Sequence, residues 1–301
     1  MKLAVTGGTG FVGSRLLELA VAAGHQVKAL TRRPRKDRPG IEWVDGSLED
    51  REALARLVTD ADAVIHVAGV VSARDAAGFE QGNVAGTLAI LAAATAAGVR
   101  RFVHVSSLAA REPALSLYGA SKARSEELVT RSGLDWVIVR PPAVYGPGDR
   151  EMLELFKTAA IGIMPLPPAG RLSLIHADDL SRLLLALAEP SAPAQLMLEP
   201  DDGQAGGYTH KEFARLLADA QDRRAVSFHV PAPIMRLAAR LDGWWRRDKA
   251  KLTPDRAAYF CHPDWVASPE RRPPVELWQP QVATPDGLRE TAQWYCRHGW
   301  L

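Results

Sequence analysis

Tyr118 and Lys122 stand four residues apart in the run Tyr-Gly-Ala-Ser-Lys, at the start of a segment with helical periodicity. That spacing puts both side chains on one helix face. A phenol with its ordinary pKa of about 10 is a poor acid or base near neutrality, and a fixed ammonium beside it favours the phenolate. Such a pair can hand a proton to, or take one from, the oxygen of a carbonyl/alcohol couple. Ser106 and Ser107 close a Val-containing apolar run, where a hydroxyl can hydrogen-bond the same oxygen and steady its developing charge. Each feature also has a plainer use: Tyr and Lys at this spacing are ordinary surface neighbours, and Ser after a strand caps or turns the chain.

Positioning such groups needs a scaffold, and the start of the chain supplies one. Residues 3–13 read Leu-Ala-Val-Thr-Gly-Gly-Thr-Gly-Phe-Val-Gly, an apolar strand, a tight turn and a helix start. Gly7 permits the turn, Gly10 lets backbone approach a bound group, and Gly13 lets the helix lie close to the strand. The helix N-terminus then offers unpaired N–H groups to a pyrophosphate. Strand-like runs follow at 26–31, 41–44, 63–67, 101–106 and 135–140 after the first at 2–6, with helices expected near 12–23, 49–59, 81–97, 117–132 and 150–160. Apolar strands without alternation are buried on both faces, which predicts an α/β fold of the Rossmann type, a doubly wound parallel sheet. The glycine turn, the serines and the Tyr/Lys pair all fall at carboxyl ends of predicted strands, the edge where open α/β sheets bind ligands.

Beyond residue 140 the rhythm loosens, with an excursion near 146–171 and a return to the core through 172–176 and 178–188. A boundary is drawn after residue 200. Residues 201–301, with helices near 209–220, 232–247 and 284–298 and proline-rich connections, are expected to form a smaller, mostly helical lobe over the carboxyl edge of the sheet. Within Pro233–Arg247, Ile234, Leu237, Ala238, Leu241, Trp244 and Trp245 make an apolar stripe. Core packing of the lobe is the expected use, ahead of a pocket wall or a membrane surface.

The 301 residues carry a formal charge of +2, which gives no electrostatic case for nucleic acid. Two cysteines, Cys261 and Cys296, and no metal-type spacing among the eight histidines point to a reduced, cytoplasmic setting without a metal. His66, His104 and His176 lie in strand-like runs and are read as buried or sheet-edge. No apolar run approaches the ~18 residues of a membrane span, and the first strand begins too early to leave room for a leader. Gly119-Ala-Ser-Lys-Ala123 mimics a nucleophile elbow but lacks the strand that must precede one.

Thr6-Gly-Gly-Thr-Gly-Phe-Val-Gly13, Val64-Ile-His-Val-Ala68, Asn83-Val-Ala-Gly-Thr87, Val105-Ser-Ser107, Tyr118-x-x-x-Lys122, Arg140-Pro-Pro-Ala-Val-Tyr-Gly-Pro147 and His176-Ala-Asp-Asp-Leu180 occur in that order. Together they resemble the extended short-chain dehydrogenase/reductases, the epimerase/dehydratase-like branch. The closing Gly287–Tyr295 resembles the family's last helix. The resemblance implies Tyr118 as acid/base, Lys122 as the residue that lowers its pKa and holds the nicotinamide ribose, and Ser107 as the hydroxyl orienting the substrate oxygen, with Ser106 as fallback. It implies a supporting role for Asn83, a pyrophosphate turn at Gly7, Thr9, Gly10, Phe11, Val12 and Gly13, an adenine-side Asp45, and further cofactor contacts at Ala68 and Pro141.

The second strand ends Leu30-Thr-Arg-Arg33 without an acid. A carboxylate there would select NAD by its ribose hydroxyl, whereas Arg32 and Arg33 suit a 2′-phosphate. NADP(H) is therefore preferred, with NAD(H) the alternative. Pro142-Ala143 and Leu108-Ala109 stand where sugar-nucleotide relatives carry Asn or acids, which directs the resemblance towards the 3β-hydroxysteroid dehydrogenase and dihydroflavonol reductase-like branch. The function implied is interconversion of a secondary alcohol and a ketone on a small apolar molecule. The alternatives are a nucleotide-sugar epimerase that recycles its nicotinamide and a non-catalytic NADP-binding sensor or assembly protein. A homodimer through the helices near 81–97 and 117–132 is a further implication.

Overall fold

A computed structural model describes residues 1–246 and 252–301. The first part of the chain alternates β1 (Lys2–Thr6), α1 (Phe11–Ala22), β2 (Gln26–Thr31), β3 (Ile41–Asp45), α2 (Arg51–Val58), β4 (Ala63–His66), α3 (Ala76–Phe79), α4 (Gly86–Ala96), β5 (Arg101–Val105), α5 (Leu117–Thr130) and β6 (Asp135–Val139). Then come β7 (Ala143–Tyr145), α6 (Leu153–Ile161), β8 (Ile163–Leu166), β9 (Arg171–Leu172), β10 (Leu174–His176), α7 (Ala177–Ala188) and β11 (Leu196–Leu198). The last part holds β12 (Tyr208–Thr209), α8 (His210–Asp219), β13 (Val226–His229), α9 (Ala232–Arg246), α10 (Pro254–Phe260), β14 (Asp264–Trp265) and α11 (Thr284–Arg297).

Seven strands form one parallel sheet in the order β11-β6-β5-β4-β1-β2-β3. The Rossmann-type sheet expected from the sequence is present. Helices α1 and α7 pack together in one layer, and α2, α4 and α5 in another. The reason is visible in the strands: β4 and β5 are buried at every position, so neither face can be left to water. One core cluster joins Leu54 and Leu57 of α2 and Ile90 of α4 to Val64, Phe102 and Ile138 of the sheet.

Three features differ from the sequence reading. β11 was not predicted: Leu-Met-Leu lacks β-branched residues and follows a Pro- and Ala-containing loop, yet it pairs with β6 as the seventh strand. The expected single helix over 81–97 is broken, because Glu80–Ala85 is a π-helical turn between α3 and α4. Two glycines bring this bend against its neighbours: a Cβ on Gly82 would lie 2.2 Å from the Val70 side chain, and one on Gly86 2.7 Å from Leu48. The segment 172–176 does not rejoin the main sheet, since β10 pairs with β7 in a separate two-stranded ladder.

The compact units interleave along the chain, where the sequence reading drew one boundary after residue 200. One comprises residues 1–141, 177–200 and 271–279, the other 142–176, 201–270 and 280–301. The proline-rich 271–279 segment belongs with the sheet: the Arg271 carbonyl accepts from Glu199 N at 2.7 Å, and Trp278 Nε1 donates to the Asp179 carbonyl at 3.0 Å. In the second unit, Tyr145, Phe156, Leu217, Leu288 and Tyr295 share a core. There α11 sits close enough to Tyr145 that a Cβ on Gly287 would lie 2.8 Å from its hydroxyl.

The stripe on α9 corrects another expectation. Ile234, Leu237, Leu241, Trp244 and Trp245 are exposed, and Met235 and Ala239 face the protein instead. The helix is anchored by the narrower, less apolar side, so the stripe is not lobe core. Arg247, the last residue of that predicted helix, lies outside the described residues.

Candidate active site

The glycine turn forms because β1 runs into a conformation closed to side chains. Gly7 has φ of 75°, and a Cβ there would lie 2.5 Å from Ala68 N. A Cβ on Gly13 would lie 2.0 Å from the Gly7 carbonyl oxygen, so only a bare residue lets α1 start this close to the strand. Gly10 N donates to that carbonyl at 3.0 Å, and Thr9 and Gly10 are exposed above the N-terminus of α1. A cradle of bare backbone at a helix N-terminus fits the pyrophosphate of a dinucleotide. Phe11 and Val12 open the helix, and Ala68 N donates to Thr6 Oγ1 at 3.3 Å beside the turn.

Around the same edge, Arg32 and Arg33 are exposed after β2, where Thr31 Oγ1 donates to the Arg33 carbonyl at 2.7 Å. Asp45 ends β3 and pairs in register with Thr31. Pro141 follows β6, its carbonyl accepting from Leu108 N at 3.1 Å. Every cofactor residue expected from the sequence therefore lies at the carboxyl end of a strand of this sheet or on an adjoining helix start.

Tyr118 and Lys122 open α5, whose N-cap Ser116 accepts from Gly119 N at 2.9 Å. Gly119 is bare because a Cβ would lie 2.6 Å from the Ala109 carbonyl, in the 3-10 turn Leu108–Arg111. This close packing brings Ser107, the cap of that turn, into a side-chain hydrogen bond with Tyr118. Lys122 is buried and donates to the Val105 carbonyl at 2.8 Å. Asn83, in the π-helical turn, clamps the opposite loop: its Oδ1 accepts from Val70 N at 2.7 Å, while Nδ2 donates to the Val70 carbonyl at 3.0 Å and to Ser121 Oγ at 2.8 Å. Ser121 is thus a buried structural hydroxyl.

Ser106 points elsewhere. Its hydroxyl donates to Glu126, whose carboxylate also takes a bidentate grip from Arg140, at 2.8 Å from Nε and 2.6 Å from Nη2. Arg140 reaches on to the buried Glu199 at 3.5 Å, which Arg111 approaches at 3.3 Å. This cluster joins the ends of β5, β6 and β11 to α5. Its central carboxylate was not singled out from the sequence, although Glu126 lies one helical turn beyond Lys122, the signal that could have found it.

Burial sets the proton affinities. It pushes the Lys122 ammonium down to about 8, opposed by the Glu126 carboxylate. Burial also raises the Tyr118 phenol, opposed by the Ser107 hydrogen bond. The lowering of Tyr118 by Lys122 expected from the sequence is not among the causes of this shift, which are burial and the Ser107 hydrogen bond. His66 and His104 stack beneath, 5.3 Å between rings. Burial and then Lys122 drive His66 down to about 3, so it is neutral, held by Thr6 at 2.6 Å and Thr87 at 3.0 Å. His176 is buried as well, so all three strand histidines are interior.

An NAD(P)H-binding family model matches residues 7–157. The chain belongs to the extended short-chain dehydrogenase/reductase family. It is an NAD(P)-dependent oxidoreductase. A ceramide reductase of Caulobacter vibrioides is 37% identical over 311 residues, covering 99% of this chain and 96% of that protein. A 4-hydroxy-2-methyl-3-oxo-4-farnesyl-3,4-dihydroquinoline-1-oxide ketoreductase of Stigmatella aurantiaca is 31% identical, covering 82% of this chain and 81% of the relative. The crystal structure of gox2253 superposes with a TM-score of 0.80 at 22% identity, covering 100% of this chain and 99% of that one.

The two serines are separable by measurement. Ser106→Ala removes a hydrogen bond to a buried carboxylate and is expected to lower stability by about 1–3 kcal/mol in thermal or denaturant unfolding, with turnover nearly unchanged. Ser107→Ala is expected to leave stability near that of the wild type and lower kcat about a hundredfold. The reverse pattern would exchange their roles.

Proposed function

We propose that the protein is an NADPH-dependent ketoreductase acting on the ketone/secondary-alcohol couple of an apolar substrate, with Ser107, Tyr118 and Lys122 at the reacting centre. The observation that carries this reading is the Ser107–Tyr118 hydrogen bond on a helix start that also holds buried Lys122. The nicotinamide, when bound, supplies the hydride to the carbonyl carbon. Tyr118, its phenol kept protonated by burial, donates its proton to the ketone oxygen as charge develops there. Ser107 aligns that oxygen with a second hydrogen bond. Lys122, still an ammonium below about 8, stabilises the phenolate left behind. Gly69 keeps room for this ammonium, since a Cβ there would lie 3.3 Å from Nζ.

Apolar substrates are supported by the names of two relatives, one reducing a ceramide and one a farnesylated quinoline oxide. Leu108 and Ala109, buried after the serine strand, support the same choice over a sugar nucleotide. NADPH over NADH is supported by exposed Arg32 and Arg33 beyond a strand that ends without an acid. The free Cys261 and Cys296 support a reducing, cytoplasmic setting. A homodimer through α4 and α5 is supported by exposed Leu88, Ala92 and Ala96, spaced four apart on α4 and small enough for close helix packing. Sedimentation at micromolar concentration is expected to show a dimer, and a monomer alone would remove it.

The deciding experiment offers NADPH and an apolar ketone to wild type and Tyr118→Phe. The variant is expected to retain NADPH binding and lose at least about a hundredfold in turnover. Equal turnover would end the reading, and an isomerised nucleotide sugar without net NADPH oxidation would replace it with an epimerase. In the wild type, kcat/KM for reduction is expected to fall as pH rises through about 8, because Lys122 then loses its charge. Arg32→Glu with Arg33→Glu is expected to raise KM for NADPH about tenfold or more while sparing NADH. A matched loss with both cofactors would argue against 2′-phosphate recognition.

A further inference from the structure

The exposed apolar residues of the protein are not scattered. Of fifteen large hydrophobics exposed among the described residues, ten lie on α6–β8 and on the continuous run from β13 through α9. In the β8/β13 ribbon, Ile163 pairs with Val226 and Pro165 with Phe228, and this face is exposed while Met164 and Leu166 are buried. β13 then leads directly into α9. There the exposures of Ile234, Leu237 and Leu241 are 56, 57 and 56%, and those of Trp244 and Trp245 are 78 and 82%. At 100° per residue these five side chains fill an arc of roughly 100°. The side that holds α9 to the protein is marked by Met235, whose sulfur lies 4.0 Å from Cys261, and by fully buried Ala239.

Charge specifies what this surface meets. Residues 223–246 hold five arginines and one aspartate, a net +4 in a chain whose total is +2. Arg223, Arg224, Arg236, Arg240 and Arg246 are all exposed. On α9, Arg236 and Arg240 lie along one flank of the apolar arc, whereas Arg246 falls at the angle of Met235 and Ala239 and pairs with Asp242 at 3.3 Å. A second copy of the chain would bring these arginines against their own equivalents in a two-fold contact. An anionic bilayer instead matches each part: acyl chains for Ile and Leu, the headgroup boundary for the Trp pair, and phosphates for the exposed arginines. No helix of the described residues is long and apolar enough to cross a membrane.

We infer that α9 and the exposed face of the β8/β13 ribbon form a peripheral docking surface for an anionic phospholipid membrane. The helix lies in the headgroup plane with its apolar arc inward, and the arginines provide the preference for negative charge.

The test uses the full chain and co-sedimentation with vesicles of phosphatidylcholine alone or mixed equally with phosphatidylglycerol. Wild type is expected to bind the mixed vesicles at least about tenfold more strongly than the neutral ones, and less at high salt. Trp244→Ser with Trp245→Ser is expected to lower partitioning about tenfold or more. Arg236→Glu with Arg240→Glu is expected to abolish the preference for phosphatidylglycerol while circular dichroism and NADPH binding stay unchanged. Failure of wild type to bind mixed vesicles, or equal binding by both variants, overturns the inference. So does loss of self-association by the Trp variant when wild type ignores vesicles, which makes the surface a protein interface. The readout needs neither substrate nor turnover, so its outcome is independent of the ketoreductase reading.

Discussion

A buried carboxylate has to be matched, and Glu126 is matched by Arg140 and Ser106. Because both partners sit just past strand ends, the pairing fixes α5 against the carboxyl edge of the sheet at one register. Removing either charge would strand the other in the interior, where an unpaired ion costs about 3–5 kcal/mol. Lys122 lies one turn before Glu126 on the same helix, and Tyr118 one turn before that. The distance of Tyr118 from Ser107, and of Lys122 from the Val105 carbonyl, follows from where this ion pair holds the helix.

The same constraint shapes the electrostatics. Lys122 sits with its ammonium buried, and Glu126 offsets part of the desolvation that lowers its proton affinity. His66 and His104 beneath it are kept neutral by burial, with the Lys122 charge adding to the effect. The site therefore concentrates its positive charge on one group. Asn83 contributes from a π-helical turn, its amide holding both the Val70 peptide and Ser121, and such turns occur frequently at functional sites.

The two units stand in contrast. In the sheet unit, apolar strands and apolar helix faces meet, and the most apolar surfaces are covered. In the other unit, Tyr145, Phe156 and Tyr295 are buried in the same way, but α9 turns its apolar arc outward and docks by Met235 and Ala239. Exposed apolar surface of this extent is the kind that marks interaction sites on proteins.

Much of this was legible in the residues. The six principal strands, the glycine turn with its need for bare backbone at Gly7 and Gly13, and the shared helix face of Tyr118 and Lys122 are local properties, dictated by sterics and by periods of two and 3.6 residues. What periodicity states is which side chains share a face; it does not state where the face points. The α9 stripe was identified correctly as a stripe and pointed the wrong way, because its direction depends on which surfaces the other elements leave to cover. Adjacent Ser106 and Ser107 posed the same problem: in extended backbone they face opposite sides, and only the position of Glu126, twenty residues on, assigns one to the ion cluster and the other to Tyr118. β11 was hidden because three residues carry little pattern, and its place comes from pairing with β6. The upward shift of the Tyr118 phenol was not legible, because a sequence displays neighbouring charges but not burial. Sequence alone thus determined the layers, the turn and the chemical groups at the sheet edge, whereas tertiary structure decided orientation, desolvation and pairing, which depend on atoms brought together from distant parts of the chain.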